Sequence, residues 1–203
     1  MKPLESQERR DNKLKKRNMA LGIIIAVVLV AGTVGWALSG GTTEKSEEYN
    51  GFTFVQVQNY WQTIVKLFGQ DFPLHTTFLP KEVENITGNT IGLTYVGFVN
   101  KNLYILANSG NERQAANDIL VNFQNLVNRI QFACLEEDSE DSFCADKPIK
   151  SCEDVSEESA IIVIKDSEST SLKYENGCLT IEGSNPNLKK ATDKALFVMF
   201  EVM

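Results

Sequence analysis

Imidazole is almost absent from this chain: His75 is the only histidine in 203 residues. Any site that needs two imidazoles, such as a His-x-x-x-His zinc protease, is excluded. The four cysteines contain no Cys-x-x-Cys pair, so neither a zinc ribbon nor a thioredoxin-like redox pair is supported. The phosphate-cradling patterns G-x-x-x-x-G-K-[ST] and G-x-G-x-x-G are missing. So are the G-x-S-x-G elbow and the Ser-x-x-Lys pair that activate serines. A net charge of −7 and a pI near 4.9 provide no basic face for a nucleic-acid duplex, and no nucleic-acid partner is expected. No catalytic, cofactor-binding or metal-binding residue set is legible.

What is present is unevenly distributed. Residues 1–18 carry seven basic and three acidic side chains, a net of +4, and 19–38 carry none. The remainder holds 13 basic and 24 acidic residues, a net of −11. The uncharged run MALGIIIAVVLVAGTVGWAL is 20 residues long; as a helix it would extend about 30 Å, the thickness of a bilayer core. With basic residues only before it, the head at 1–18 is expected in the cytoplasm, the span at 19–38 in the cell membrane and the rest outside. Ala37-Leu38-Ser39 before Gly40 is a passable cleavage site, but the apolar run exceeds the usual signal core of about 7–15 residues, which favours a retained anchor. The small-residue pairs Gly22/Ala26 and Ala31/Gly35 are the pattern that allows close helix approach and weak homodimerisation through the span. Basic residues followed by Gly22-Ile23-Ile24-Ile25 also resemble, loosely, the start of a pilin-like filament subunit.

Residues 39–50 are polar and aperiodic and read as a flexible linker. The domain at 51–203 opens with period-two runs: Phe52–Val57, Trp61–Leu67 and Phe72–Phe78, an antiparallel meander of three strands. Ile91–Phe98 and Leu103–Asn108 are read as two further strands. A helical stripe through Ala116, Ile119, Phe123, Val127 and Ile130 then predicts a helix over 112–132, with Asn111 as N-cap and Gln114 as its capping-box partner. Ala160–Lys165 and Cys178–Glu182 read as strands, and Asn185 with Pro186 at the first position opens a terminal helix. A shift of 76 positions aligns Leu103–Phe123 with Leu179–Met199, with identities that include Leu103/Leu179, Ile105/Ile181 and Ala115/Ala191. This suggests two strand-strand-helix repeats. The expected fold class is α+β: a mostly antiparallel sheet with two helices on one face.

Cys134, Cys144, Cys152 and Cys178 all follow the apolar run, and an even count outside a membrane reads as two disulfides. Three connectivities are open; Cys134–Cys178 with Cys144–Cys152 is preferred. Ten carboxylates between Glu136 and Glu158 face only Lys147 and Lys150. Without D-x-D-x-D-G spacing they read as a solvated loop rather than a Ca²⁺ site. Asn85-Ile86-Thr87 is a glycosylation sequon. His75 lies on the strand face opposite Phe72, Leu74, Thr76 and Phe78, and reads as a surface or structural residue.

FLPKEVENI at Phe78–Ile86, CADKPIKSCED at Cys144–Asp154 and ENGC at Glu175–Cys178 are similar to stretches of uncharacterised single-pass membrane-anchored proteins of archaeal type. That resemblance implies a cell-surface location and no particular activity. The functional expectation is a membrane-anchored, non-catalytic extracytoplasmic module that binds or scaffolds a protein of the cell envelope. The alternatives are an envelope hydrolase using carboxylates and the filament subunit.

Overall fold

The computed structural model describes residues 45–203. The expected cytoplasmic head at 1–18, the expected span at 19–38 with its small-residue pairs, the candidate cleavage site and most of the expected linker lie outside the described residues. No helix among the described residues is long and apolar enough to cross a membrane.

Alternating apolar residues shape the first sheet. Strands β1 (Ser46–Tyr49), β2 (Phe52–Val57), β3 (Tyr60–Leu67) and β4 (Gln70–Thr76) form an antiparallel sheet in chain order. The meander expected as three strands therefore has four, because Ser46–Tyr49, read as linker, pairs with β2 from Ser46↔Val55 to Tyr49↔Phe52. Its two adjacent glutamates hid it: Glu47 and Glu48 lie on an exposed edge strand, where charge is tolerated and discourages further pairing. Asn50-Gly51 and Phe68-Gly69 form the tight turns, both residues of each at positive φ, as two-residue hairpins require.

The second sheet is the main correction to the expected architecture. Its six strands run in the order β5-β9-β10-β8-β6-β7, and four of the five pairings are parallel. The strands are β5 (Gly88–Asn89), β6 (Asn102–Leu106), β7 (Arg129–Ala133), β8 (Ser159–Asp166), β9 (Ser171–Glu175) and β10 (Cys178–Gly183). The parallel pairing of β6 and β7 follows from the helix between them, since parallel neighbours need a crossover of a dozen or more residues. The α+β class holds, but its sheets are one antiparallel and one largely parallel.

Three α-helices are described: the single turn α1 (Pro80–Val83), α2 (Gly110–Phe123) and α3 (Asn187–Met199). The helix expected over 112–132 ends at Phe123, and Arg129–Ala133 is strand β7. Leu126, Val127 and Ile130 continue a helical spacing, while Ile130 and Phe132 also alternate, and pairing with β6 decides the outcome. The N-cap is Ser109, whose Oγ accepts from Glu112 N at 3.2 Å while Glu112 Oε2 accepts from Ser109 N at 2.8 Å. This Ser-x-x-Glu box sits two residues ahead of the expected Asn111/Gln114 pair, and its carboxylate is the stronger acceptor. The cap of α3 is Pro186 rather than Asn185. Ile91–Phe98, expected as a strand, is instead a turn followed by a 3-10 turn at Tyr95–Gly97.

Helices α2 and α3 pack on each other and are covered on both sides. Phe54 of β2 meets Phe197 of α3 edge-on at 5.8 Å, while Ala160, Ile162 and Ile164 of β8 share the same core from the other sheet. The opposite face of β8, Ile161 and Val163, forms a second cluster with Leu106, Ala133 and Cys178, against which Leu135 and Val155 of the cysteine-bearing loop pack. Gly88 of β5 approaches Leu172 so closely that a Cβ would stand 2.1 Å from the Leu172 carbonyl oxygen. Gly88→Ala is accordingly expected to detach β5 from β9, read as faster amide exchange at Leu172 and Lys173 with β10 unaffected.

The disulfides are Cys134–Cys144 and Cys152–Cys178, with Cα–Cα distances of 5.9 and 5.4 Å. Both bonds expected from the sequence, Cys134–Cys178 and Cys144–Cys152, are corrected. Cys134 directly follows β7, where the loop returns beside it: Cys134 N donates to Pro148 O at 3.0 Å and Lys150 N to Cys134 O at 2.9 Å. This return brings Cys144 to Cys134 and leaves Cys152 above β10.

Candidate functional site

Burial of helices on two sides makes their polar residues informative. Asp193 of α3 is fully buried, and its Oδ2 accepts from Thr77 N at 2.9 Å and Phe78 N at 2.7 Å, just past the end of β4. Asn122 of α2 completes the junction: its Oδ1 accepts from His75 N at 2.9 Å, and its Nδ2 donates to His75 O at 2.7 Å. β4 is an edge strand, so these outward backbone groups have no strand partner, and two helix side chains satisfy them instead.

Asp118 of α2 neighbours Asp193 and accepts from Thr77 Oγ1 at 3.0 Å, with Lys189 Nζ at 4.0 Å. Burial pushes Asp193 well above the ordinary carboxylate range, and the neighbouring Asp118 charge adds to the effect. Burial raises Asp118 as well, offset by Lys189, by Asp193 and by the hydrogen bond from Thr77. Asp193 Oδ1 is buried and has no hydrogen-bond partner. Neighbouring like charges disfavour ionising both carboxyls, and the raised pKa of the fully buried Asp193 makes it the acid that keeps its proton longer.

A cleft of about 210 Å³ opens beside this pair, lined by Tyr60, His75, Thr76, Asp118 and Val121. Tyr60 and His75 meet edge-on at 5.2 Å. Burial lowers the pKa of His75, so its ring is neutral at pH 7. The histidine read as a surface or structural residue is half-buried in this wall. Only Asp118 faces the cleft, and Asp193 lies wholly behind it, so the pair does not present two carboxyls to a substrate as a hydrolytic dyad must.

A second cleft, about 230 Å³, lies at the carboxyl ends of β6 and β8, where the chain leaves the two strands in opposite directions. Such a position often receives ligands. Here the first turn of α2 is occupied by its own residue: Glu112 Oε2 takes Asn108 N and Ser109 N, and Oε1 takes Asp166 N at 2.9 Å. An incoming anion would meet a filled site. Several carboxylates of the loop are engaged by groups of the protein itself. Asp141 caps Phe143 N, Asp154 accepts from Ser151 N and pairs with Lys150, and Glu137 pairs with Lys165. No group of three or more His, Cys, Asp or Glu is placed to hold a metal among the described residues.

An exposed apolar patch lies elsewhere. Phe68, at the β3–β4 turn, rests edge-on against Tyr95 at 5.6 Å, and Ile91 and Val96 project from the same stretch as Tyr95. Phe68 is 68% exposed and Ile91 88%, and the chain carries no charge from Asn85 to Asn100. Tyr95 stacks in turn on Phe200 of the core, which fixes the patch to the body of the domain. Asn85 of the sequon is exposed in the turn after α1, open to a glycan. No family model, curated protein or solved structure matches this chain.

Proposed function

We propose that the chain is a non-catalytic, membrane-anchored extracytoplasmic module that docks a protein of the cell envelope through an uncharged apolar surface. The patch of Phe68, Ile91 and Val96 carries the reading: three large apolar side chains held in water beside a charge-free segment, in a chain with 23% charged residues. Contiguous exposed apolar surface of this kind marks interaction sites, and its lack of charge selects an apolar, uncharged partner surface. The +4 head, uncharged run and −11 body support an anchor with the domain outside, and two disulfides suit an oxidising compartment. The strand–helix units β6–α2 and β10–α3, in register at an offset of 76, support the two-repeat reading: strands start at Asn102 and Cys178 and helices end at Phe123 and Met199.

A photo-crosslinker at Ile91 in native membranes is expected to capture one envelope protein that the same probe at Glu153 does not capture. Phe68→Asp should reduce that capture at least tenfold, because a charge placed in the apolar patch must be desolvated on docking. Equal capture from both probes, or capture unchanged by Phe68→Asp, would overturn the assignment.

A further inference from the structure

We infer that the cleft between β3, β4 and α2 binds a small organic cation, an ammonium group carried on a compact apolar body. The wall is apolar except for a single acid. Tyr60, His75 and Val121 supply carbon surface, and Asp118 is the only carboxyl that faces the space. A cavity of about 150 Å³ already admits benzene, so the 210 Å³ here accommodates a ring or short alkyl chain with a one-atom head.

Electrostatics select the sign of that head. Asp118 is the partly open acid of the pair, its side chain 16% exposed, while Asp193 is fully buried, so the negative charge that the cleft meets is that of Asp118. Nothing in the wall competes as a cation, since His75 is neutral there, and the rings of Tyr60 and His75 stand in edge contact. The face of an aromatic ring attracts a nearby ammonium, and more strongly where water is excluded. The nearest protein cation, Lys189 on α3, stands 4.0 Å from Asp118 Oδ2, beyond hydrogen-bonding distance, with its side chain about one-third exposed. Asp118 therefore has a charge partner at the edge of reach and room for a better one in front. An anionic ligand would meet the Asp118 charge directly, and a neutral one would forgo it.

Calorimetric titration of the full-length chain with benzylammonium at neutral pH tests this, with benzyl alcohol and benzoate as isosteres. Benzylammonium should bind at least tenfold tighter than benzyl alcohol, and benzoate should not bind. Asp118→Asn should weaken benzylammonium at least tenfold. Lys189→Met should strengthen it several-fold by removing the competing cation, a gain that a purely structural role for Asp118 would not produce. Val121→Lys, at an exposed position on the rim, should block binding without touching the Asp118–Asp193 contact, so the result stands even if Asp118→Asn fails to fold. Equal binding of amine and alcohol would show an apolar cleft only and overturn the proposal. So would undetectable benzylammonium binding, or binding indifferent to both Asp118→Asn and Val121→Lys.

Discussion

Asp193→Ala is expected to destabilise the domain by about 3–5 kcal/mol, the cost of removing one partner from a buried, hydrogen-bonded pair. The truncation leaves Thr77 N–H and Phe78 N–H without an acceptor at a site closed to water. For a domain of this size each kcal/mol shifts the midpoint by about 2–4 °C, so thermal unfolding should fall by roughly 10 °C. Asp193→Asn supplies the contrast. Its carbonyl oxygen can take both amides, and its NH₂ can donate to Asp118, reproducing the protonated acid. That variant should stay within about 1 kcal/mol of the native protein at neutral pH.

The sign of the pH dependence separates the two explanations of the pair. Both carboxyls have pKa values raised in the fold, so the folded state binds the proton more tightly than the unfolded chain. The resulting stability is full below the ordinary carboxylate range and is lost as pH rises through the raised value. Asp193→Asn carries no titrating proton there and should lose less stability between pH 5 and pH 9 than the native chain. A native profile that rises toward alkaline pH, with Asp193→Asn following it, would show that the pair is fully ionised and that the shared proton is wrong.

The second large effect belongs to the longer disulfide. Replacing Cys152 and Cys178 together by Ser opens a loop with a separation of 26 residues, against 10 for Cys134–Cys144. Chain entropy predicts losses of about 3.5 and 2.7 kcal/mol respectively. The gap should widen further, since Cys178 lies 3% exposed in the cluster of Ile161 and Val163, where a hydroxyl has poor company. Denaturant midpoints of the two double variants give the comparison. Peptide mapping without reductant checks the pairing itself: a linked peptide joining Cys134 to Cys178 would sink the connectivity and this ordering with it.

Legibility from the sequence followed local physics. Alternation identified β2, β3 and β4, short apolar runs identified β8 and β10, which are buried over most of their length, and β6 was read as a strand too. The strand β9 escaped although Leu172 and Tyr174 alternate correctly, since its three hydroxyl or charged residues looked like loop; Asn176-Gly177 marked the turn but only one of its two strands was read. β7 was absorbed into a helix because two periods overlapped on Ile130. The direction of pairing in the second sheet is set by connections far apart in the chain, and no local pattern encodes it.

The candidate site was illegible for a related reason. Asp118 and Asp193 look like ordinary polar-face residues of amphipathic helices, and that reasoning assumes one face in water. Here a sheet covers each side of the helix pair, so a polar-face position becomes an interior one. The available signal was the composition of α3: Leu188, Ala191, Ala195, Leu196, Phe197 and Met199 take up more of the circumference than a single buried stripe needs.

The order of the disulfides along the chain makes the domain severable. Cys134–Cys144 closes before Cys152–Cys178 begins, so a single cut between Ala145 and Ser151 leaves two pieces with no covalent bond between them. The nested arrangement expected from the sequence would have kept them joined. Each piece retains one internal disulfide and one strand–helix unit, β6–α2 in the first and β10–α3 in the second, while the central contact of β8 with β6 falls across the cut. Two such halves, produced separately, define a natural fragment-complementation pair whose reassembly depends on the parallel seams β6–β8 and β5–β9, the helix contact and the Asp193 bonds to Thr77 and Phe78.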